Sequence, residues 1–247
     1  MDENALLDEL AGWISQARRG VFFGGAGVST DSGIPDFRSA AGLYAQRGEG
    51  DSPEYLLSHE CLMYEPEKFY HLYKNELVHP EAKPNAAHEA VNTLVDRGHL
   101  SCVVTQNIDG LHQAAGTQKV FELHGSTARH YCVGPAAHEA TLEQVMQAEG
   151  VPYCQQCGEM IRPDVVLYGE ALDENMIEGS VTALAAADLV IVGGTSLNVY
   201  PAAGFLRYYQ GDRLVLINAE PTAWDSRADL VIHGRLGQVL TAALERL

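Results

Sequence analysis

The stretch Val21-Phe22-Phe23-Gly24-Gly25-Ala26-Gly27-Val28-Ser29 begins as an all-apolar run and stops at paired glycines. Consecutive apolar residues without polar alternation suit a strand buried on both faces, as in a parallel sheet. The glycines then allow a turn in which the backbone approaches a phosphate with no Cβ in the way. A lone Gly-x-Gly is weak evidence, and this one lacks the third glycine of the usual dinucleotide fingerprint. Context strengthens it: a strand precedes it, and a polar loop from Ser29 to Arg38 follows.

Working outward, similar apolar runs recur at 102–104, 120–123, 189–192, 214–217 and 230–232. Helical patterns lie between several of them. Residues 2–18 bring Leu6, Leu7, Leu10, Trp13, Ile14 and Ala17 near helical spacing, and Gly20 ends the pattern. Asn85 to Asp96 carries Ala87, Val91, Leu94 and Val95 on one face, with Gly98 as a stop. The alternation predicts an α/β fold, a doubly wound, Rossmann-like parallel sheet with a nucleotide at the carboxyl ends of its strands. Two segments break the rhythm. Residues 40–84 hold no strong strand and end at Pro80 and Pro84, and residues 126–162 hold a cysteine cluster. Both read as insertions, one helical and one small. They divide the nucleotide-binding domain into 1–39, 85–125 and 163–247.

At 247 residues the chain suits one large domain with a small appendage. No apolar run reaches the roughly 18 residues of a membrane helix. The start, Met1-Asp2-Glu3-Asn4, lacks the basic-then-apolar pattern of a signal peptide, so the expected location is cytoplasmic, away from membranes. The net charge of −17 argues against nucleic acid as a direct partner. It would attract lysine-rich protein segments, although solubility accounts for most such charges. The five cysteines, an odd number in that context, speak against a disulfide framework.

Polar residues cluster where the apolar runs end. Gln106, Asn107, Ile108 and Asp109 follow one run. The asparagine and aspartate suit ribose hydroxyls, a water or a carboxamide; the alternative is an Asx turn capping the next helix. His124 ends another run before Gly125, and its free pKa near 6.5 suits a general base. His88 and His112 lie inside expected helices, where a structural role is the stronger reading. Gly193-Gly194-Thr195-Ser196 ends a further run, and Asn218 ends the 214–217 run. Cys154-Gln155-Gln156-Cys157 reads as metal-binding, redox-active or incidental. A thioredoxin-like role fits poorly, because the pair does not open a helix after a strand.

In this order and length, the motifs resemble the sirtuins of bacterial type, NAD-dependent protein lysine deacylases. The resemblance runs from Gly25 to the Leu214–Asn218 strand. It implies an NAD site built from Gly25, Ala26, Gly27, Ser29 and Asp36, with Phe37 and Arg38 facing the cofactor. A phenylalanine beside departing nicotinamide would exclude water. To these it adds Gln106, Asn107, Ile108 and Asp109, then Gly194, Thr195 and Ser196, with Asn218 on the adenosine ribose. His124 would be the base that deprotonates a ribose hydroxyl after the acyl oxygen of a modified lysine attacks C1′, with Asn107 and Asp109 as its catalytic companions. Val166, Tyr168, Gly169 and Glu170 would form one wall of a peptide cleft and Val199 the other, so that an acyl-lysine protein or peptide adds as a strand.

The same resemblance implies a structural zinc held by two Cys-x-x-Cys pairs in a zinc-ribbon-like module. Here the upstream pair reads Cys132-Val133-Gly134-Pro135, which leaves Cys132, Cys154 and Cys157. Either His138 or His130 completes a Cys₃His set, or the site is vestigial. Segment Phe69–Lys74 matches the place where desuccinylating sirtuins carry Tyr-x-x-Arg. Tyr70 matches, but Tyr73 stands at the arginine position, which predicts an enzyme for neutral acyl groups. Rival readings are protein mono-ADP-ribosyl transfer, a non-catalytic NAD-sensing module and a hydride-transferring dehydrogenase. The last lacks an acidic ribose ligand about 20 residues beyond the glycines.

Overall fold

The computed structural model describes residues 2–36 and 51–247. Among them the strands are, in chain order, β1 (Gly20–Gly24), β2 (Leu100–Thr105), β3 (Val120–Glu122), β4 (Gly125–Cys132), β5 (Glu139–Ala140), β6 (Ile161–Val165), β7 (Leu189–Gly193), β8 (Leu214–Asn218) and β9 (Leu230–His233). Six of them form a parallel sheet in the order β3-β2-β1-β7-β8-β9. This is the doubly wound sheet expected from the alternation of runs. The order reverses at β1: the chain travels outward to β2 and β3, then returns to β7 on β1's other edge. The carboxyl ends of β1 and β7 therefore flank the switch point, where such sheets open a ligand crevice.

The continuous apolar runs are explained by cover on both faces. Phe22 points into a core with Leu10, Ile14, Val91, Leu94, Ile191 and Leu240. Its neighbours Val21 and Phe23 point into a second core with Val104, Leu184, Val192 and Leu206. That is the period-2 alternation of a strand with helices on both sides. Helix Glu3–Gln16 stops just short of the expected end because Ala17 is already extended, at φ −66° and ψ 142°. Helix Ala86–Asp96 is capped by Asn85, whose side chain accepts from Ala87 N–H at 2.8 Å.

The segments that break the rhythm form a smaller lobe. Strand β4 pairs antiparallel with β5 and β6, so this second sheet spans Gly125–Val165. The 40–84 insertion is helical where described, at Pro53–Leu56, His59–Tyr64 and Pro66–Leu72. Read separately from the sequence, the two segments share one core: Leu62, Phe69, Tyr70 and Tyr73 pack with Cys132, Val145, Ile161, Val165 and Leu167. Polar ties reinforce it. Tyr70 donates its hydroxyl to the Ile161 carbonyl, Tyr73 Oη bonds His130 Nε2 at 2.9 Å, and Lys74 Nζ donates to the Ala148 and Gly150 carbonyls, each at 2.7 Å. Among the described residues no helix is long and apolar enough to cross a membrane.

Candidate active site

Two glycine loops touch at the switch point. Gly25 N–H donates to Gly193 O at 3.3 Å, and Gly27 N–H to Gly194 O at 2.8 Å. A Cβ on Gly25 would lie 2.6 Å from Thr195 Cβ, and one on Gly27 would lie 2.8 Å from Gly194 Cα. Gly194 has φ +62°, and a Cβ there would sit 2.4 Å from Val28 N. The glycines are needed chiefly for this close approach. Two of the turn's N–H groups, expected to face a phosphate, already have carbonyl acceptors. Among the described residues the Ala26 N–H has none, so it is the one left for an anion.

The polar residues after β2 reach both loops. Gln106 Nε2 donates to Thr195 Oγ1 at 3.1 Å. Asn107 Nδ2 donates to Ser29 Oγ at 3.1 Å, and Ser29 Oγ donates to Asp109 Oδ2 at 2.6 Å. Asp109 Oδ1 also accepts the Leu111 N–H at 2.9 Å, which is the Asx turn, while Oδ2 turns to Ser29. Ile108 is half-buried, its carbonyl accepting from Thr127 N–H at 2.9 Å. Thr195 N–H donates to Asn218 Oδ1 at 3.0 Å, and Asn218 Nδ2 is buried with no partner among the described residues. An orphaned amide at the end of β8, beside a cradle that tolerates no Cβ, fits a nucleotide ribose. Ser196 is exposed and Asp36 half-buried; Phe37 and Arg38 lie outside the described residues.

His124 Nδ1 contacts the Gln106 carbonyl at 2.7 Å. A carbonyl only accepts, so Nδ1 carries the proton and Nε2 keeps a bare lone pair. Burial lowers the imidazole's pKa below 6.5, while the Gln106 bond works the other way. The ring is therefore a neutral base near neutrality.

Sequence reasoning missed part of this site. Asn85 Nδ2 donates to Val28 O at 2.8 Å and Ser32 Oγ at 2.9 Å, clamping the loop after β1 to the helix it caps. Its position before an apolar helix showed the cap but not the clamp. His88, read as structural, is buried with Nε2 3.5 Å from Ser29 Oγ. His112 stacks edge-on against His88, with ring centroids 4.9 Å apart. Burial, with His88 adding to it, lowers the His112 pKa to about 3.

The expected peptide wall is only partly as read. Val166 N–H donates to the His124 carbonyl at 3.0 Å, joining wall to base. Tyr168 and Gly169 are exposed, and Gly169 has φ +90°. Val199 is half-buried in the loop after β7, outside any strand. The Glu170 carboxylate is held by Arg162, His59 and Leu167 N–H. Two expectations need correction. Tyr70 and Tyr73 do not line an acyl pocket; both are 0% exposed, with hydroxyls bonded inside the small lobe. Tyr73 packs inward because its phenol has a buried partner in His130.

The metal-ligating residues do converge. Cys132, His138, Cys154 and Cys157 bring their ligand atoms within 4.8 Å of one another. His138 Nδ1 lies 3.6 Å from both Cys132 Sγ and Cys154 Sγ, and Cys157 Sγ lies 3.5 Å from Cys132 Sγ. Tetrahedral zinc with its usual bond lengths separates sulfur from nitrogen by about 3.6 Å and sulfurs by about 3.8 Å. The donor set fits zinc with only small adjustment. His138 is the fourth member; His130 is not part of the cluster, and its Nε2 bonds Tyr73 instead.

The model of the Sir2 family matches residues 25–201. A curated protein of Cutibacterium acnes called NAD-dependent protein deacetylase is 52% identical over 236 residues, covering 95% of this chain and 96% of that protein. One of the same name from Clostridium perfringens is 50% identical over 242 residues, covering 97% and 98%. A solved Sir2 structure with a deacetylated p53 peptide and 3′-O-acetyl-ADP-ribose superposes with a TM-score of 0.89 at 34% identity, covering 97% of each chain. A doubly wound sheet whose switch point carries this glycine pair and this histidine defines a nucleotide-binding enzyme. The chain belongs to the Sir2 family.

Proposed function

We propose that this chain is an NAD-dependent protein lysine deacetylase, yielding nicotinamide, free lysine and an acyl-ADP-ribose. The observation that carries this is the His124–Gln106 contact, which leaves an unprotonated Nε2 beside the nucleotide loops. Bound NAD supplies an electrophilic ribose carbon once its nicotinamide leaves. The protein's part is geometry, one base and a dry site. Ser29, Asn107 and Asp109, already hydrogen-bonded to one another, orient the nicotinamide ribose. His124 Nε2 takes a proton from a ribose hydroxyl. Gly25, Ala26, Gly27, Gly194 and Thr195 surround the pyrophosphate, and Asn218 Nδ2 binds the adenosine ribose. Val166, Tyr168, Gly169 and Val199 receive the acyl-lysine peptide as an added strand.

Cys132, His138, Cys154 and Cys157 would hold one zinc and brace the small lobe, distant in role from the chemistry. The division into a nucleotide domain and an inserted lobe follows the cores described above. The net charge of −17 supports lysine-rich protein partners over nucleic acid.

The test is incubation with NAD and an acetyl-lysine peptide. Free nicotinamide with deacetylated peptide and acetylated ADP-ribose is the expected result. Covalently labelled protein in its place indicates a transferase, and absence of both products overturns the reading.

A further inference from the structure

The turn Leu167–Glu170, which walls the proposed peptide cleft, is held by one carboxylate. Arg162 grips Glu170 with two N–H groups, Nη1 to Oε1 at 2.6 Å and Nη2 to Oε2 at 2.9 Å. Oε2 also accepts the Leu167 N–H at 2.9 Å, and His59 Nδ1 lies 2.8 Å from Oε1. Arg162 is itself anchored, Nε to Pro163 O at 3.2 Å and Nη2 to Val165 O at 3.0 Å. The side chains of Arg162 and Glu170 are 12% and 18% exposed. The backbone repeats the same connection. Glu170 N–H donates to Leu167 O at 2.9 Å, Tyr168 N–H donates to Leu57 O at 3.0 Å, and His59 N–H donates to Tyr168 O at 2.9 Å. One carboxylate thus joins the turn, β6 and the first residue of helix His59–Tyr64. Burial alone would raise its pKa; Arg162, Leu167 N–H and His59 outweigh burial and hold it at about 2.

We infer that Glu170, with Arg162 and His59, is a positioning residue that sets the Tyr168–Gly169 main chain where an extended acyl-lysine peptide pairs with it. The inference rests on the deacetylase reading and concerns peptide binding alone. Neither Glu170 nor Arg162 hydrogen-bonds a residue of the glycine loops or of 106–109 among the described residues. Losing the carboxylate therefore loosens the peptide wall and leaves the nucleotide site intact. The bonds removed are charge-assisted, and such bonds are the strong ones.

Glu170→Gln keeps the size and removes the charge. Its KM for an acetyl-lysine peptide should rise about 10-fold to 100-fold, the loss expected for hydrogen bonds to a charged group. KM for NAD and kcat at saturating peptide should stay within about twofold. Glu170→Asp, which keeps the charge, should recover part of the peptide KM. The double variant Arg162→Met with Glu170→Gln should be no weaker than the sum of the singles, because the pair acts as a unit. Hydrogen exchange at the Tyr168 and Glu170 amides, which donate to Leu57 O and Leu167 O, should quicken in Glu170→Gln when measured without NAD or peptide. That readout needs no activity, so an inactive wild type would sink the deacetylase reading while the positioning role is still judged. Unchanged exchange in folded Glu170→Gln, or equal rises in both KM values, would overturn the inference. If Glu170→Gln does not fold, His59→Ala decides. Its half-exposed ring can be removed safely, and a peptide KM and exchange rate identical to wild type refute the brace.

Discussion

Gly27→Ala isolates what the glycine turn does. The added Cβ would meet Gly194 Cα at 2.8 Å, its carbonyl oxygen at 2.9 Å and its carbonyl carbon at 3.1 Å, all backbone atoms. Non-bonded carbons rest at about 3.5–4.0 Å, so the loops must part by roughly 0.7–1.2 Å. The second loop cannot yield freely, because Asn218 holds Thr195 N–H and Gln106 holds Thr195 Oγ1. The first is held by Asn85 through Val28 O. A displacement of about 1 Å at a reacting site costs on the order of 10²-fold. That is about 2.7 kcal/mol of barrier. The expected result is a fall of about 10²-fold in kcat/KM for NAD. It is read by nicotinamide release over an NAD series at saturating acetyl-peptide. Gly33→Ala is the control: among the described residues nothing lies within 4 Å of its Cβ, so it carries only the strain of φ +84°. An NAD series for Gly27→Ala within twofold of wild type, with the fold intact by circular dichroism, would refute the close-approach argument.

Other expectations are briefer. His124→Ala should cut deacetylation by about 10²–10⁴-fold, with NAD affinity retained in calorimetry. Because burial depresses the His124 pKa, turnover should be full near neutrality and fall as pH drops through a midpoint below 6.5; a midpoint above 7 would contradict this. Elemental analysis of protein purified without chelator should find about one zinc per chain. His138→Ala should lower that content, His138→Cys should restore it, and His130→Ala should leave it unchanged. Acetyl-lysine should exceed succinyl-lysine in kcat/KM, because a buried succinyl carboxylate needs a cation to offset its desolvation; succinyl turnover equal to or above acetyl would refute this. Tyr73→Arg should destabilise the small lobe rather than confer succinyl activity, because it would bury a guanidinium where a phenol met His130. His112 and His130 have pKa values lowered by burial to about 3 and about 4. Both stay neutral in the folded chain while the unfolded chain takes up protons below about 6.5. Stability should therefore be full above pH 6.5 and decline as pH falls toward 4, seen as a dropping Tm.

The sequence by itself determined the sheet and the address of its ligand. Most strands of the parallel sheet were visible because burial on both faces leaves an uninterrupted apolar run, and residues adjacent in the chain carry that signal; the edge strand β3, Val120-Phe121-Glu122, is half-buried and carries a glutamate. The glycine pair after β1, the polar residues Gln106, Asn107 and Asp109 after β2 and His124 after β3 could be read for the same reason: a carboxyl strand end is a local feature. Which distant group meets which was decided only by tertiary structure. His138 and His130 both stood near three cysteines, and only the β4–β5 pairing turned one toward the thiols and the other toward Tyr73. Tyr70 and Tyr73 looked free to face an acyl chain until the two insertions closed on a common core. That Glu170 is paired with Arg162 was decided only when β6 brought the two together. His88, 59 residues from Ser29, had no local mark of its place beside the Ser29 hydroxyl. Periodicity reports which face of an element is covered; the partner that covers it is set by how elements far apart in the chain pack.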